Sequence, residues 1–331
     1  MVKHTEQKMS IRFFSTVSAR KVEWLWFPYI PYGKLTIVQG DPGDGKTTLV
    51  LNIAALLSKG LPMPDAEREV SCTKIIYQSA EDGAEDTLKP RLESAGADCS
   101  KIAFIDDIES NLKLNDDRIE SAIREIGARL MVIDPLQAYL CEGNEMNRAD
   151  AIRPMMKSLT AVAERTGCAI VIIGHMNKSG SSKGIYRGLG SIDITAAARS
   201  VLLVGRLKNN PGIRVMAQLK NSLAMEGKPI AFEIHEDASV CWIGEYDITA
   251  EELLSGEEPQ GGSGKLDEAV GQLEAIMSSG AVRCGEIYAM LSRRGIGKRT
   301  VDRAKKKLEV KSIKRADAWY WSLNEVANRQ Q

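Results

Sequence analysis

Residues 40–47 (GDPGDGKT) constrain this chain more tightly than any other stretch. Glycines at 40, 43 and 45 lead into Lys46 and Thr47 with the spacing G-x-x-x-x-G-K-[ST]. Glycine lets the backbone curl until successive N–H groups face one point, and such a curl is an anion cradle. In that loop Lys46 reaches the β- and γ-phosphates and the Thr47 hydroxyl ligates Mg²⁺. The flanks agree, because residues 35–39 read as a buried strand and residues 47–59 as an apolar helix. The stretch therefore predicts a site for ATP and Mg²⁺ built from Gly40, Asp41, Pro42, Gly43, Asp44, Gly45, Lys46, Thr47 and Thr48.

A nucleotide–Mg²⁺ site also wants a carboxylate at the end of a neighbouring strand. Residues 130–134 (LMVID) end on Asp134, which pairs with Thr47 as the metal acid; before Pro135, an aspartate also serves as a turn former. Glu81 and Asp82 follow a strand at 74–78. Glu81 is placed to orient an attacking water, and its plain alternative is a solvated loop acid. His175 closes a strand at 169–174 and is one of 3 histidines; it reads either as a γ-phosphate sensor or as a structural residue.

Further short apolar runs at 102–105 and 201–205 alternate with helical spacing at 84–95, 116–126 and 150–165. Strands alternating with helices predict an α/β fold, a mostly parallel sheet between helices. Two later strands, 213–219 and 230–235, read as its antiparallel extension. Residues 251–265 are acidic and then Gly/Ser-rich, which is linker composition. The expected organisation is an N-terminal segment 1–21, a core 22–250, a flexible linker 251–265 and a small domain 266–325. The 6 cysteines include no CxxC pair, which argues for reduced thiols rather than a zinc site or disulfide framework. With no signal-like start and no run of the roughly eighteen apolar residues that span a membrane, a cytoplasmic protein with no membrane partner is expected.

The stations 40–47, 79–82 (SAED), 133–136 (IDPL) and 174–178 (GHMNK) in this order resemble the RecA-like superfamily. With 24–33 (WLWFPYIPYG), 187–191 and 196–200 they are similar to the RepA-type helicases of plasmids and phages, the "AAA family ATPase" proteins of mobile elements, over roughly residues 22–235. The resemblance implies a RecA-like P-loop NTPase core with Lys46 and Glu81 catalytic, Asp134 the metal acid and His175 the coupling residue. It also implies a homo-oligomeric, hexameric ring in which each ATP site is finished by a neighbour. Arg206 matches the position of the trans-acting arginine, with Arg199 as a competitor; for either, a surface salt bridge is the plain alternative. Lys220 resembles a companion basic residue, although Ser222 stands where a second basic residue is often found.

For DNA, residues 177–190 form a Gly/Ser-rich loop carrying Lys178, Lys183, Tyr186 and Arg187, a pattern suited to single-strand phosphates and stacking. Net charge is zero, yet residues 293–315 hold eleven Lys/Arg against two acids. Ile287, Met290 and Leu291 line one helix, a Gly295 turn follows, and Val301, Ala304 and Leu308 line the next. Residues 310–315 and 318–323 supply a wing hairpin. This predicts a winged-helix-like domain with Lys298, Arg299 and Arg303 toward duplex DNA, or toward a primase or other replication protein. The expected function is an ATP-driven, ring-forming DNA helicase or translocase of a phage, plasmid or integrated element. The alternative is a nucleotide-gated DNA-binding regulator or loader; a recombinase-like filament is a third reading.

Overall fold

The computed structural model describes residues 11–66, 71–106, 111–140, 149–176, 192–208, 210–256, 263–315 and 318–323. A small antiparallel pair, β1 (Trp24–Trp26) and β2 (Ile30–Pro31), precedes β3 (Leu35–Gly40) and α1 (Lys46–Lys59). Then come β4 (Lys74–Ser79), α2 (Lys89–Ser94), β5 (Ile102–Ala103), α3 (Asp117–Ile126), β6 (Ala128–Asp134), α4 (Ala149–Thr166), β7 (Ala169–His175), α5 (Ile192–Ala197) and β8 (Ser200–Leu207). A single π-helical turn, Ala84–Leu88, leads into α2. Helix α3 starts where Asp116 accepts a hydrogen bond from the Arg118 N–H, which satisfies one of the first-turn donors.

The central sheet runs β11-β10-β9-β8-β3-β7-β6-β4-β5, with β8 through β5 parallel. Strands β9 (Asn210–Asn221), β10 (Ile230–Ile234) and β11 (Val240–Glu245) extend it antiparallel. The expected extension is therefore present and one strand longer, since β11 was not read from the sequence. Alternation along each strand divides the core into two faces. Val38, Tyr77, Val132, Val171 and Val204 pack under α1, while Ile37, Ile76, Met131, Ile133 and Ile172 pack under α3 and α4.

The segment expected as a flexible linker begins instead as a helix, α6 (Ala250–Ser255). The acids that look like linker composition form a capping box: Thr249 accepts from the Glu252 N–H, and the Glu252 carboxylate accepts from the Thr249 N–H. Leu253 then packs beside Gly205 of β8, so α6 belongs to the core. Helix α7 (Ser263–Met277) already starts inside the predicted linker.

Strand β12 (Val282–Arg283), α8 (Cys284–Arg293), α9 (Lys298–Lys307), β13 (Lys311–Arg315) and β14 (Ala318–Ser322) complete a module of three helices and a sheet ordered β12-β14-β13. Ile287, Tyr288 and Leu291 form the buried stripe of α8, which leaves Met290 at its margin, 41% exposed. The module is seated on the antiparallel end of the large sheet. Lys305 bonds Glu233 at 2.6 Å, Lys314 bonds Asp237 at 3.1 Å, and His235 stacks on Trp319.

Asp302 is buried in this module and accepts a hydrogen bond from the Tyr288 hydroxyl, with Tyr246, Lys305 and Glu233 also acting on it. Burial pushes its carboxyl up to about 7, against about 3.9 for an ordinary aspartate. The folded chain then binds the extra proton between about pH 4 and 7, so stability from this group is full below that window and lost as pH rises through it. Asp302→Asn is expected to gain on the wild type across that window by up to roughly 4 kcal/mol and to keep the margin above it. Denaturant unfolding at a series of pH values measures this, and a pH-independent difference would contradict it.

Candidate nucleotide site

Strand β3 delivers the loop and leaves no room for a side chain at its end. A Cβ on Gly40 would lie 2.1 Å from the Val204 carbonyl oxygen of β8. Gly45, at φ +92°, occupies the left-handed region, and a Cβ there would lie 2.4 Å from Ile234 Cδ1. Both glycines are thus fixed by the packing of their neighbours as well as by phosphate access. Lys46 is buried, and its Nζ donates to the carbonyls of Gly40 at 2.9 Å and Asp41 at 2.8 Å. Burial lowers its pKa, opposed by the charges of Asp44, Asp134, Asp41 and Glu81.

Asp134 ends β6 on the same face as α1. Its Oδ2 accepts from the Thr47 hydroxyl at 2.8 Å and from the Tyr77 hydroxyl at 2.9 Å. Burial raises the pKa of this carboxyl, the hydrogen bonds from the Thr47 and Tyr77 hydroxyls oppose that rise, and the charges of Asp82 and Glu81 add to it. A hydroxyl and a strand-end carboxylate in contact are a donor set suited to a hard divalent cation with phosphate oxygens completing its shell. These residues fit Mg²⁺ bound with a nucleotide. Among the described residues no group of three or more His, Cys, Asp and Glu forms a separate metal centre.

Glu81 lies exposed just past β4 and acts electrostatically on both Lys46 and Asp134. Asp82 is tied to Arg91 at 3.0 Å, which gives it a loop-supporting role. His175 ends β7 as the register partner of Gly40, and its Nδ1 is buried without a hydrogen-bond partner among the described residues. Arg206, expected to complete a neighbour's site, turns to its own loop here. It donates to the Gly43 carbonyl and lies 3.5 Å from the Asp44 carboxylate, because β8 runs directly beside β3. Lys220 donates to the carbonyls of Thr195 at 2.9 Å and Ala198 at 2.8 Å, and the Arg199 side chain is exposed. Lys178, Lys183 and Arg187 lie outside the described residues.

The tentative DNA residues of α9 divide. Arg299 approaches the Asp247 carbonyl at 3.5 Å and Lys298 lies 6.0 Å over the Tyr288 ring, so both turn inward, whereas Arg303 is exposed. Sequence reasoning missed Tyr77 and Arg214. The signal for Tyr77 was a tyrosine following two isoleucines in a buried strand, where its hydroxyl requires a partner.

A family model described as "AAA domain" matches residues 4–181, more than half of the chain. The chain belongs to the AAA domain family. Its curated relatives include the DNA repair protein RadA of Bacillus subtilis, 24% identical over 226 residues, covering 68% of this chain and 44% of that protein. The RadA of Halalkalibacterium halodurans is 30% identical over 156 residues, covering 46% and 30%. The chain thus spans less than half the length of these relatives. Two solved structures each cover 64% of this chain. One is a KaiC-like protein of Pyrococcus horikoshii OT3, matched over 90% of its length at 19% identity and TM-score 0.48. The other is the RadB recombinase, matched over 91% at 20% identity and TM-score 0.46. The AAA domain here has an α/β core whose mostly parallel sheet delivers the phosphate-loop motif from the end of β3. Among the described residues no helix is long and apolar enough to cross a membrane.

Tyr77→Phe keeps the ring and removes only the bond to Asp134. Loss of such an outer-shell partner is expected to weaken Mg²⁺-dependent nucleotide hydrolysis or Mg²⁺ affinity about tenfold to hundredfold, without unfolding. A Mg²⁺ titration of hydrolysis reads it, and an unchanged titration would remove Tyr77 from the site.

Proposed function

We propose that this chain is an ATP-hydrolysing motor that acts on DNA, assembling as a ring and moving or separating strands as a helicase or translocase. The observation that carries it is the contact of Thr47 with Asp134, two strands away from the loop across β7. In this reading the loop N–H groups and Lys46 hold the phosphates, and Thr47 with Asp134 holds Mg²⁺. When bound, Mg²⁺ neutralises charge on the phosphate oxygens. Glu81 orients the water, and His175, whose Nδ1 has no hydrogen-bond partner among the described residues, reports the phosphate end toward residues 177–190. Support for DNA as the partner comes from RadA relatives named as DNA repair proteins and from the C-terminal module.

In this reading the module is winged-helix-like, which is supported by the order α8, a turn at Gly295, α9 and the β13–β14 hairpin as wing. Arg293, Arg294, Arg303, Lys311 and Arg315 are exposed on it and supply phosphate contacts. Replication of a phage, plasmid or integrated element, a hexameric ring and a primase partner rest on the family resemblance alone. A second reading, a nucleotide-gated DNA-binding regulator or loader, is favoured by one observation: Lys298, Arg299 and Lys305 of α9 lie against Gly244, Asp247 and Glu233, which couples the module to the nucleotide-binding core.

The test is ATP hydrolysis and strand separation with and without single-stranded DNA, with subunit number measured by sedimentation. Stimulated hydrolysis, unwinding and a ring are expected, and Lys46→Ala is expected to lose hydrolysis by at least about a hundredfold. Hydrolysis indifferent to DNA, without unwinding, would overturn the motor. Tight binding to one duplex sequence without translocation would favour the regulator.

A further inference from the structure

Arg214 stands beside the phosphate loop, at Gly45. It lies on β9 as the register partner of Arg206 on β8, and antiparallel partners share a face. That face is the one packed under α1, with Val204, Met216 and Phe232. The Arg214 side chain runs past Gly45, its Cδ 3.0 Å and its Nε 3.1 Å from where a Cβ would stand. Two arginines of one chain thus flank residues 43–45 of that chain's own loop.

Their partners differ. Arg206 is matched to the Gly43 carbonyl and Asp44. Arg214 donates one bond, from its guanidinium to the Gly212 carbonyl at 3.1 Å, while its Nε is buried without a partner. Of the two acids that act on it, Asp44 lies 3.5 Å from Arg206 and Glu233 is paired with Lys305 at 2.6 Å. Among the described residues no carboxylate lies within ion-pair distance of Arg214. Burial and the like charge of Arg206 both lower its pKa. A half-buried guanidinium with an unmet donor beside an anion-binding loop costs the fold free energy that a bound anion would return.

The side of the loop identifies which part of the anion. Thr47 and Asp134 gather on the β7–β6 side of β3, where the β- and γ-phosphates and Mg²⁺ belong. Arg206 and Arg214 stand on the opposite β8–β9 side. A nucleotide laid across the loop with its γ end at Asp134 brings its α-phosphate and ribose toward those arginines. We infer that Arg214 is a nucleotide-binding residue acting in cis, its guanidinium taking the α-phosphate end of a nucleoside di- or triphosphate. The inference rests on the nucleotide-binding reading of the loop, and it makes the contact common to ATP and ADP.

Calorimetric binding of Mg²⁺–ATP and Mg²⁺–ADP to the full chain tests it, with Arg214→Gln, Arg214→Lys and Lys46→Ala compared. Arg214→Gln is expected to weaken both nucleotides about tenfold to hundredfold, the range for a charge-assisted contact. Arg214→Lys is expected to recover part of that loss. Because the guanidinium is under-satisfied, the thermal midpoint of nucleotide-free Arg214→Gln is expected to hold or rise, which a structural arginine would not do. Unchanged affinities overturn the inference, as does a loss confined to ATP, which would place Arg214 at the γ end. A fall in thermal midpoint that accompanies the affinity loss would make it a packing residue. A wild-type chain that binds neither nucleotide would refute the loop reading itself, and this inference with it.

Discussion

The closest constraint on the molecule is the approach of β3 to β8. The Val204 carbonyl stands where any side chain on Gly40 would have to go, and on the other edge Gly40 pairs with His175. This double contact fixes the point at which the chain leaves the sheet and begins to curl. The rest follows from register. Asp134 lies on β6, beyond β7, and Glu81 follows β4, one strand further. A slip of one residue in the β3–β7 or β7–β6 pairing would turn the Asp134 carboxylate to the opposite face, away from Thr47. The parallel sheet therefore acts as the ruler that sets loop against acid.

Much of this was legible in the sequence because it is local. The loop residues 40–47, the apolar run ending at Asp134 and the acid following residues 74–78 each announce themselves within a few positions. The capping box Thr249–Glu252 was also written in the sequence, although the acids around it read as linker. What was not legible depends on pairing across distance. Arg206 and Arg214 meet because β8 and β9 pair in one antiparallel register, and no local pattern states which residue faces which. Tyr77 and Asp134 lie on neighbouring strands, and only the finished sheet brings hydroxyl to carboxylate.

The hairpin of β10 and β11 lies between the two parts of the chain and serves both through alternation. Ile234 points to the α1 face and touches Gly45, and the Ala238 carbonyl lies 3.5 Å from the Asn52 side chain of α1. Glu233 and His235 point the other way, to Lys305 and Trp319. Successive residues of one short strand therefore contact the phosphate loop and the C-terminal module.

The same seating has a bearing on how the molecule comes apart. Ile213, Val215, Ala217 and Ala231 of the large sheet share one apolar cluster with Leu273, Ile287, Leu291 and Val301 of the module. Cys241 and Cys284 meet across that boundary with their sulfurs 3.6 Å apart. Undocking would bare a continuous apolar surface on both sides, and such a surface favours self-association over solubility. A core-plus-linker sequence suggests two bodies that melt separately, whereas a shared interior makes unfolding of one a loss for the other. Helices α6 and α7 stand where the sequence suggests a boundary, and the cooperative unit runs across it.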